Sequence, residues 1–156
     1  MRQFHTPGSI EKMSGGSPLT DADRWDWLVL VREKALSTLE ALSSTADTSG
    51  SAVVVTCSAL KRKYRDVLRI ASYQDPSVRV HFLFLNVSED SLLDRVLARQ
   101  NHYMKDSMVA TQLQCLEVPQ NDEFDVFSVD ASGTSEEVSR VALDVVKRVL
   151  EPNTEA

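Results

Sequence analysis

The apolar positions of this chain follow two rhythms. From residue 20 to about 44, Trp25, Leu28, Val31, Ala35, Leu39 and Leu42 return every three or four residues, the spacing of one helix face. Thr20 with Asp23 three residues later supplies the start signal of that helix. Residues 52–57 and 78–85 are instead short, nearly continuous apolar runs, which predict strands buried on both faces. Between them a cationic helix is predicted over about 59–71, with Leu60, Tyr64, Val67 and Leu68 facing inward. Ser88 caps a further helix whose first turn carries Glu89 and Asp90, where the helix dipole favours anions, with Leu92, Leu93, Val96 and Leu97 on its apolar side. A helix over about 109–117 stops near Pro119, and "FDVFSVD" at 124–130 predicts a third strand. Thr134 and Glu137 then form a capping-box pair, and Val138, Val141, Ala142, Val145, Val146 and Val149 repeat at helical spacing. Ahead of all this, residues 5–20 are rich in Gly, Ser and Pro and predict loop, with one turn of helix around 10–13.

Continuous apolar strands separated by helices predict an α/β protein, a parallel sheet with helices on both faces. Ligands of such sheets sit beyond the carboxyl ends of the strands. The segment "VVVTCSALKRKYRD" at 53–66 runs from strand straight into Lys61, Arg62, Lys63 and Arg65, so the ligand expected there is an anion.

Composition changes this picture in only one respect. The 156 residues are 42% hydrophobic and 26% charged, ordinary for one soluble domain covering 1–156. The formal net charge of −6 excludes a general nucleic-acid binder, which would carry a positive footprint, and makes the cations after residue 57 a local feature. Two cysteines, Cys57 and Cys115, are too few for a disulfide framework. With no membrane-length apolar run and no secretory signal in "MRQFHTPGS", the expected address is the cytoplasm.

Each constellation also has a plainer reading. Lys61, Arg65 and Arg69 are spaced to share a helix face, and a cationic stripe is most simply a solvated one. Its place directly after a strand favours ligand contact for Lys61 and Arg65. Arg95 and Arg99 form a second pair of this kind, suited either to neutralising charge on a transferred group or to surface ion pairs. His102 alone is most simply an exposed loop residue. Asp21, Asp23 and Asp26 are explained by compensation of the helix dipole, so no metal site is predicted, and Trp25 and Trp27 by packing. No HExxH, CxxC or GxSxG spacing occurs.

Three segments, "IEKMSGGSPLTDADRWDWL", "CSALKRKYRDVLR" and "LARQNHYMKDSMVATQLQCLEVP", together resemble the gluconate kinase family of P-loop kinases, in the family's order and over nearly the whole chain. The resemblance implies a three-layer P-loop kinase-like fold and transfer of the γ-phosphoryl of ATP, with Mg²⁺, to the 6-hydroxyl of D-gluconate. It implies substrate-binding roles for His5, Arg24, Lys61 and Arg65, with Lys12 and Met13 in the substrate-side loop. It implies nucleotide-side roles for Arg95, Arg99 and Asp130, the last with the loop through Ser132 and Gly133 bordering adenine. Lys61 and Arg99 are the implied catalytic cations, and 99–108, with His102, the implied lid that keeps water from the phosphoryl group. A homodimer is also implied.

The family's G-x-x-x-x-G-K-[ST] loop is missing: glycines stand at 8, 15, 16, 50 and 133, and none precedes a lysine. "MRQF" at 1–4 likewise lacks the carboxylates of the family's acidic motif. The expectation is an N-terminally truncated kinase domain that, as written, does not phosphorylate efficiently. The alternative is a non-catalytic sugar-acid-binding remnant or a partner of a full-length kinase.

Overall fold

The computed structural model describes residues 4–45, 50–98 and 106–150. In chain order its elements are α1 (Pro7–Ser14), α2 (Asp21–Thr45), α3 (Arg62–Gln74), β1 (Phe82–Asn86), α4 (Glu89–Ala98), α5 (Asp106–Gln114), β2 (Val126–Asp130) and α6 (Ser135–Leu150). They fall into two compact units, one of Met1–Val80 with Asn101–Val118 and one of His81–Gln100 with Pro119–Ala156.

In the first unit, α1 is a full two turns where sequence predicts one. The Thr6 hydroxyl accepts from the Ser9 amide at 3.2 Å and Pro7 supplies a preset φ at the first helical position. Gly16, at φ +80, takes the left-handed conformation that lets the chain leave. The predicted cap of α2 is present in both directions: Asp23 Oδ2 accepts from the Thr20 amide at 2.9 Å, and the Asp23 amide donates to Thr20 Oγ1 at 3.3 Å. Lys12 Nζ reaches Asp23 Oδ1 at 2.7 Å and ties α1 to that turn.

The core of this unit is Trp27, Leu28 and Val31 from α2 against Tyr64 from α3, with Phe4, Cys57, Val67 and Leu68 packed around them. Leu28 is 1% exposed, and burial of such a side chain contributes about 2 kcal/mol. The buried stripe of α2 differs from the predicted one. Trp27 and Arg32 are inside, while Trp25 and Leu42 are exposed. Arg32 is tolerated there because its Nη1 donates to the Val67 carbonyl at 3.2 Å and its Nη2 to Glu33 at 2.7 Å, bracing α2 against α3.

The predicted strand at 52–57 does not form among the described residues. Val54 is 89% exposed, and no ladder includes any of these residues. Apolar, β-branched composition makes a segment able to pair but cannot supply its partner, and pairing is what makes a strand.

The second unit holds the sheet. β1 and β2 run parallel in register, Phe82 opposite Val126 through Asn86 opposite Asp130. Parallel pairing is as predicted, but β1 is shorter than the 78–85 run, and Leu83 and Leu85 are exposed. Among the described residues this α/β sheet has two strands, not the three expected. Among the described residues Val129, Ala131 and Val145 are the buried apolar side chains of this unit, where β2 meets α6. The Thr134–Glu137 box closes the start of α6: Glu137 Oε2 accepts from the Thr134 amide at 2.8 Å, and the Glu137 amide returns to Thr134 Oγ1 at 3.3 Å. Gly133 fits tightly against that box, since a Cβ there would meet Glu137 Oε2 at 2.9 Å. Ser88 caps α4 through the Ser91 amide at 3.3 Å. Among the described residues no helix is long and apolar enough to cross a membrane.

Candidate functional site

The cations after residue 57 reach their positions through a sharp bend. Ala59 sits at φ +26, a conformation that a residue with a Cβ resists. Two residues on, Lys61 is the N-cap of α3 with extended backbone, φ −108 and ψ 151. Lys61 is therefore not on the helical stripe of Arg65 and Arg69 that sequence spacing predicts. It lines a cleft of about 230 Å³ within the first unit, together with Leu19, Asp21, Arg24, Tyr64 and Gln112.

One carboxylate organises the charged wall of this cleft. Asp21, in the first turn of α2, accepts from Lys61 Nζ at 3.3 Å, from Lys63 Nζ and from the Tyr64 hydroxyl. Hydrogen bonds from Lys63 and Tyr64, and then Lys61, hold its carboxyl well below the usual carboxylate range. The Tyr64 ring is buried, 3% exposed, and its phenol is pushed above the ordinary tyrosine value by burial and by donation to Asp21. Cations surround that ring: Arg24 lies 5.7 Å and Lys61 5.7 Å from its centroid, and Trp25 meets it edge-on at 6.0 Å. Arg24 is oriented by donation of its Nε to the Leu19 carbonyl at 3.4 Å.

The other implied residues are placed differently. Arg65 does not line the cleft. It is 4% exposed and its Nη1 donates to the Ala59 and Glu117 carbonyls, each at 3.2 Å, fixing the strained bend and the chain after α5. Arg69 pairs with Asp66 at 2.7 Å. His5 stacks on Trp27, ring centroids 4.7 Å apart and planes within 1°, and is absent from the cleft lining. Burial, with Arg24 adding to it, lowers the His5 pKa below the ordinary histidine value. Its Nδ1 and the Trp27 Nε1 are buried without a hydrogen-bond partner among the described residues. Lys12 holds Asp23, and Met13 is in the core.

In the second unit, Arg95 Nη2 donates to the carbonyls of Ser132 at 3.2 Å and Gly133 at 2.8 Å, while Asp130 accepts from the Ser132 amide at 2.9 Å. The loop after β2 is thus held from both sides, and its bonds with Ser132 keep Asp130 below the ordinary carboxylate value. Arg99 and His102 lie outside the described residues, as does most of the predicted lid at 99–108.

Sequence reasoning missed Asp21 and Tyr64 as cleft residues. Tyr64 fits the inward face of α3 and Asp21 the helix dipole, and neither explanation exposes a partner 40 residues away.

Among the described residues no three His, Cys, Asp or Glu side chains gather to hold a metal, and the sequence contains no phosphate loop. The described residues do not fit a grip for a metal-bound triphosphate. What the cleft offers is two fixed cationic donors, Lys61 and Arg24, and the Tyr64 hydroxyl oxygen as an acceptor, suited to a small hydroxylated anion.

Solved structures place the fold in a class. The chain is similar to an unliganded sugar kinase from Janibacter sp. HTCC2649, with a TM-score of 0.77 and 34% identity, covering 99% of this chain and 80% of that one. It is equally similar to a gluconokinase from Sinorhizobium meliloti 1021, with a TM-score of 0.77 and 39% identity over 96% of this chain and 76% of that one. The fold is that of the small sugar kinases.

Among curated proteins, a probable gluconokinase of Schizosaccharomyces pombe is 39% identical over 150 residues, 96% of this chain and 74% of the relative. The thermoresistant gluconokinase of Escherichia coli is 35% identical over 145 residues, 93% and 75% of the two chains. No family model matches. The chain belongs to the gluconokinase family, and spans about three quarters of the length of these relatives.

Proposed function

We propose that this chain serves ATP-dependent phosphorylation of D-gluconate to 6-phosphogluconate, and that the cleft of its first unit recognises the sugar acid. One observation carries the reading: in a chain of the gluconokinase family, Lys61, Arg24 and the Tyr64 hydroxyl converge on a single small cleft. A gluconate carboxylate is matched by the Lys61 ammonium and the Arg24 guanidinium, and its hydroxyls by Tyr64 and Gln112. Half-burial of Lys61, 24% exposed at its side chain, strengthens such a contact relative to one in open water.

Arg65 has no place in this set. Its role is to hold the bend at Ala59 that delivers Lys61. In the second unit, we assign the loop at 130–133, held by Arg95, to the nucleotide base, and Arg99 to neutralising charge on the transferred group when the lid closes. Phosphoryl transfer calls for a triphosphate grip that the described residues do not form, so recognition rather than transfer is the step assigned to them.

Calorimetric titration of the full chain tests this. Gluconate is expected to bind, and sorbitol, which keeps its carbon length and hydroxyls but has a hydroxymethyl group in place of the carboxylate, to bind at least tenfold more weakly, roughly the worth of one charge-assisted contact. Equal affinity for the two ligands would remove the carboxylate from the account.

A further inference from the structure

The charged wall of the cleft contains a group of opposite sign to its neighbours, and a solvated helix-dipole residue would not be placed as Asp21 is. Its two oxygens take donors from three side chains of the α3 start, Lys61, Lys63 and Tyr64, and the residue itself lines the cleft. Asp21 is in turn held by its element. It opens α2, whose first turn is fixed by the Thr20–Asp23 box and by Lys12. Lys61 has no partner of this strength elsewhere among the described residues, and as the α3 N-cap it makes no side-chain capping bond. Without Asp21, two ammonium groups two residues apart would repel, and the long Lys61 side chain would spread over its solvent rotamers.

We infer that Asp21 is a positioning residue, which fixes the Lys61 ammonium as a donor and, by taking its one proton, the Tyr64 hydroxyl oxygen as an acceptor, a preorganised pair on the cleft wall for the carboxylate and a hydroxyl of the incoming sugar acid. This rests on the proposed function for the identity of the ligand, but not for the fixing of the two groups. Preorganisation of this kind raises affinity by removing the ordering that a ligand would otherwise impose. Asp21 acts through Lys61 and Tyr64 and makes no assigned contact with the ligand of its own.

Two measurements on the full-length chain test it. In the ligand-free protein, the Lys61 side-chain ammonium is expected to give a resolved nitrogen-15 signal, protected from solvent exchange in the wild type and lost in Asp21→Ala. Calorimetry with gluconate is expected to show about tenfold weaker binding for Asp21→Ala, near-complete recovery in Asp21→Glu, and an Asp21→Ala effect of threefold or less in a Lys61→Ala background. A general structural role would weaken binding equally in both backgrounds and would not be rescued by glutamate, and either result overturns the inference. So does a Lys61 signal that survives in Asp21→Ala. If that signal is lost as expected but the wild-type chain ignores gluconate, the ligand assignment falls and the positioning role stands.

Discussion

The cleft wall at the start of α3 and the buried flank one turn further on carry the same kind of residue in opposite employment. Lys61 stands half-exposed in the cleft, held by a carboxylate. Arg65 lies 4% exposed with its guanidinium on two backbone carbonyls. Four residues separate them in sequence, and a helical-wheel argument treats them alike. What separates them physically is the partner. A buried guanidinium needs its donors met, and the Arg65 group spends them on backbone carbonyls, so it supports the fold. A cation on a carboxylate at a cleft wall keeps donors that can turn to a ligand. Arg95 also holds two backbone carbonyls, those of Ser132 and Gly133, but at an exposed site of the second unit.

The contrast is broken most readily at Arg65. Arg65→Ala removes a buried guanidinium, its packing and its bonds to the Ala59 and Glu117 carbonyls, so an unfolding free-energy loss of about 3 kcal/mol, roughly 10 °C in melting temperature, is expected by urea titration and calorimetry. A loss below about 0.5 kcal/mol would place Arg65 among ordinary surface cations. Arg95→Ala, at an exposed site, is expected to cost about 1 kcal/mol and to speed amide exchange at 132–134 without altering exchange in α2. Thr134→Ala, which removes one half of a reciprocal cap, should cost a comparable 1 kcal/mol or somewhat less.

Acid gives the smallest and most diffuse effect. Asp21 and Asp23 have folded pKa values below those of an unfolded chain, through bonds from Lys63 and Tyr64 in the first case and Lys12 and Thr20 in the second. A depressed carboxyl contributes stability that is complete above its unfolded value, near 3.9, and is lost as pH falls toward the folded one. The His5 ring, with a lowered pKa, adds a loss that begins as pH drops below about 6.5, because the unfolded chain takes up the proton first. Urea midpoints are therefore expected to decline gently below pH 6.5 and more steeply below 4. Asp23→Asn should flatten the lower limb and His5→Phe the upper. Midpoints that rise on acidification would contradict both assignments.

Much of the helical frame was legible because its signals are local. The Thr20–Asp23 and Thr134–Glu137 boxes are each written within four residues, and both form as spacing predicts. β2 follows from "FDVFSVD", and its parallel partner from the α/β alternation. The strand expected at 52–57 does not form, because composition reports readiness to pair while the partner is a matter of the rest of the sheet. The site was legible in outline, as a cationic segment of a gluconokinase-like chain. Its membership was not, for a geometric reason. Helical spacing was assumed back to Lys61, but its extended backbone turns it off the stripe of Arg65 and Arg69. Asp21 was hidden by a sufficient local explanation, since any acidic residue in a first helical turn suits the dipole.

The most direct test of the division between the two cations is a gluconate titration of Lys61→Ala, with the melting temperature of the same sample recorded alongside. Affinity lower by about tenfold at a melting temperature within about 2 °C of wild type is the result predicted for a ligand-facing donor. Unchanged affinity, or a large fall in melting temperature, would mean that Lys61 belongs with Arg65 as a support of the fold and that the sugar acid is recognised elsewhere.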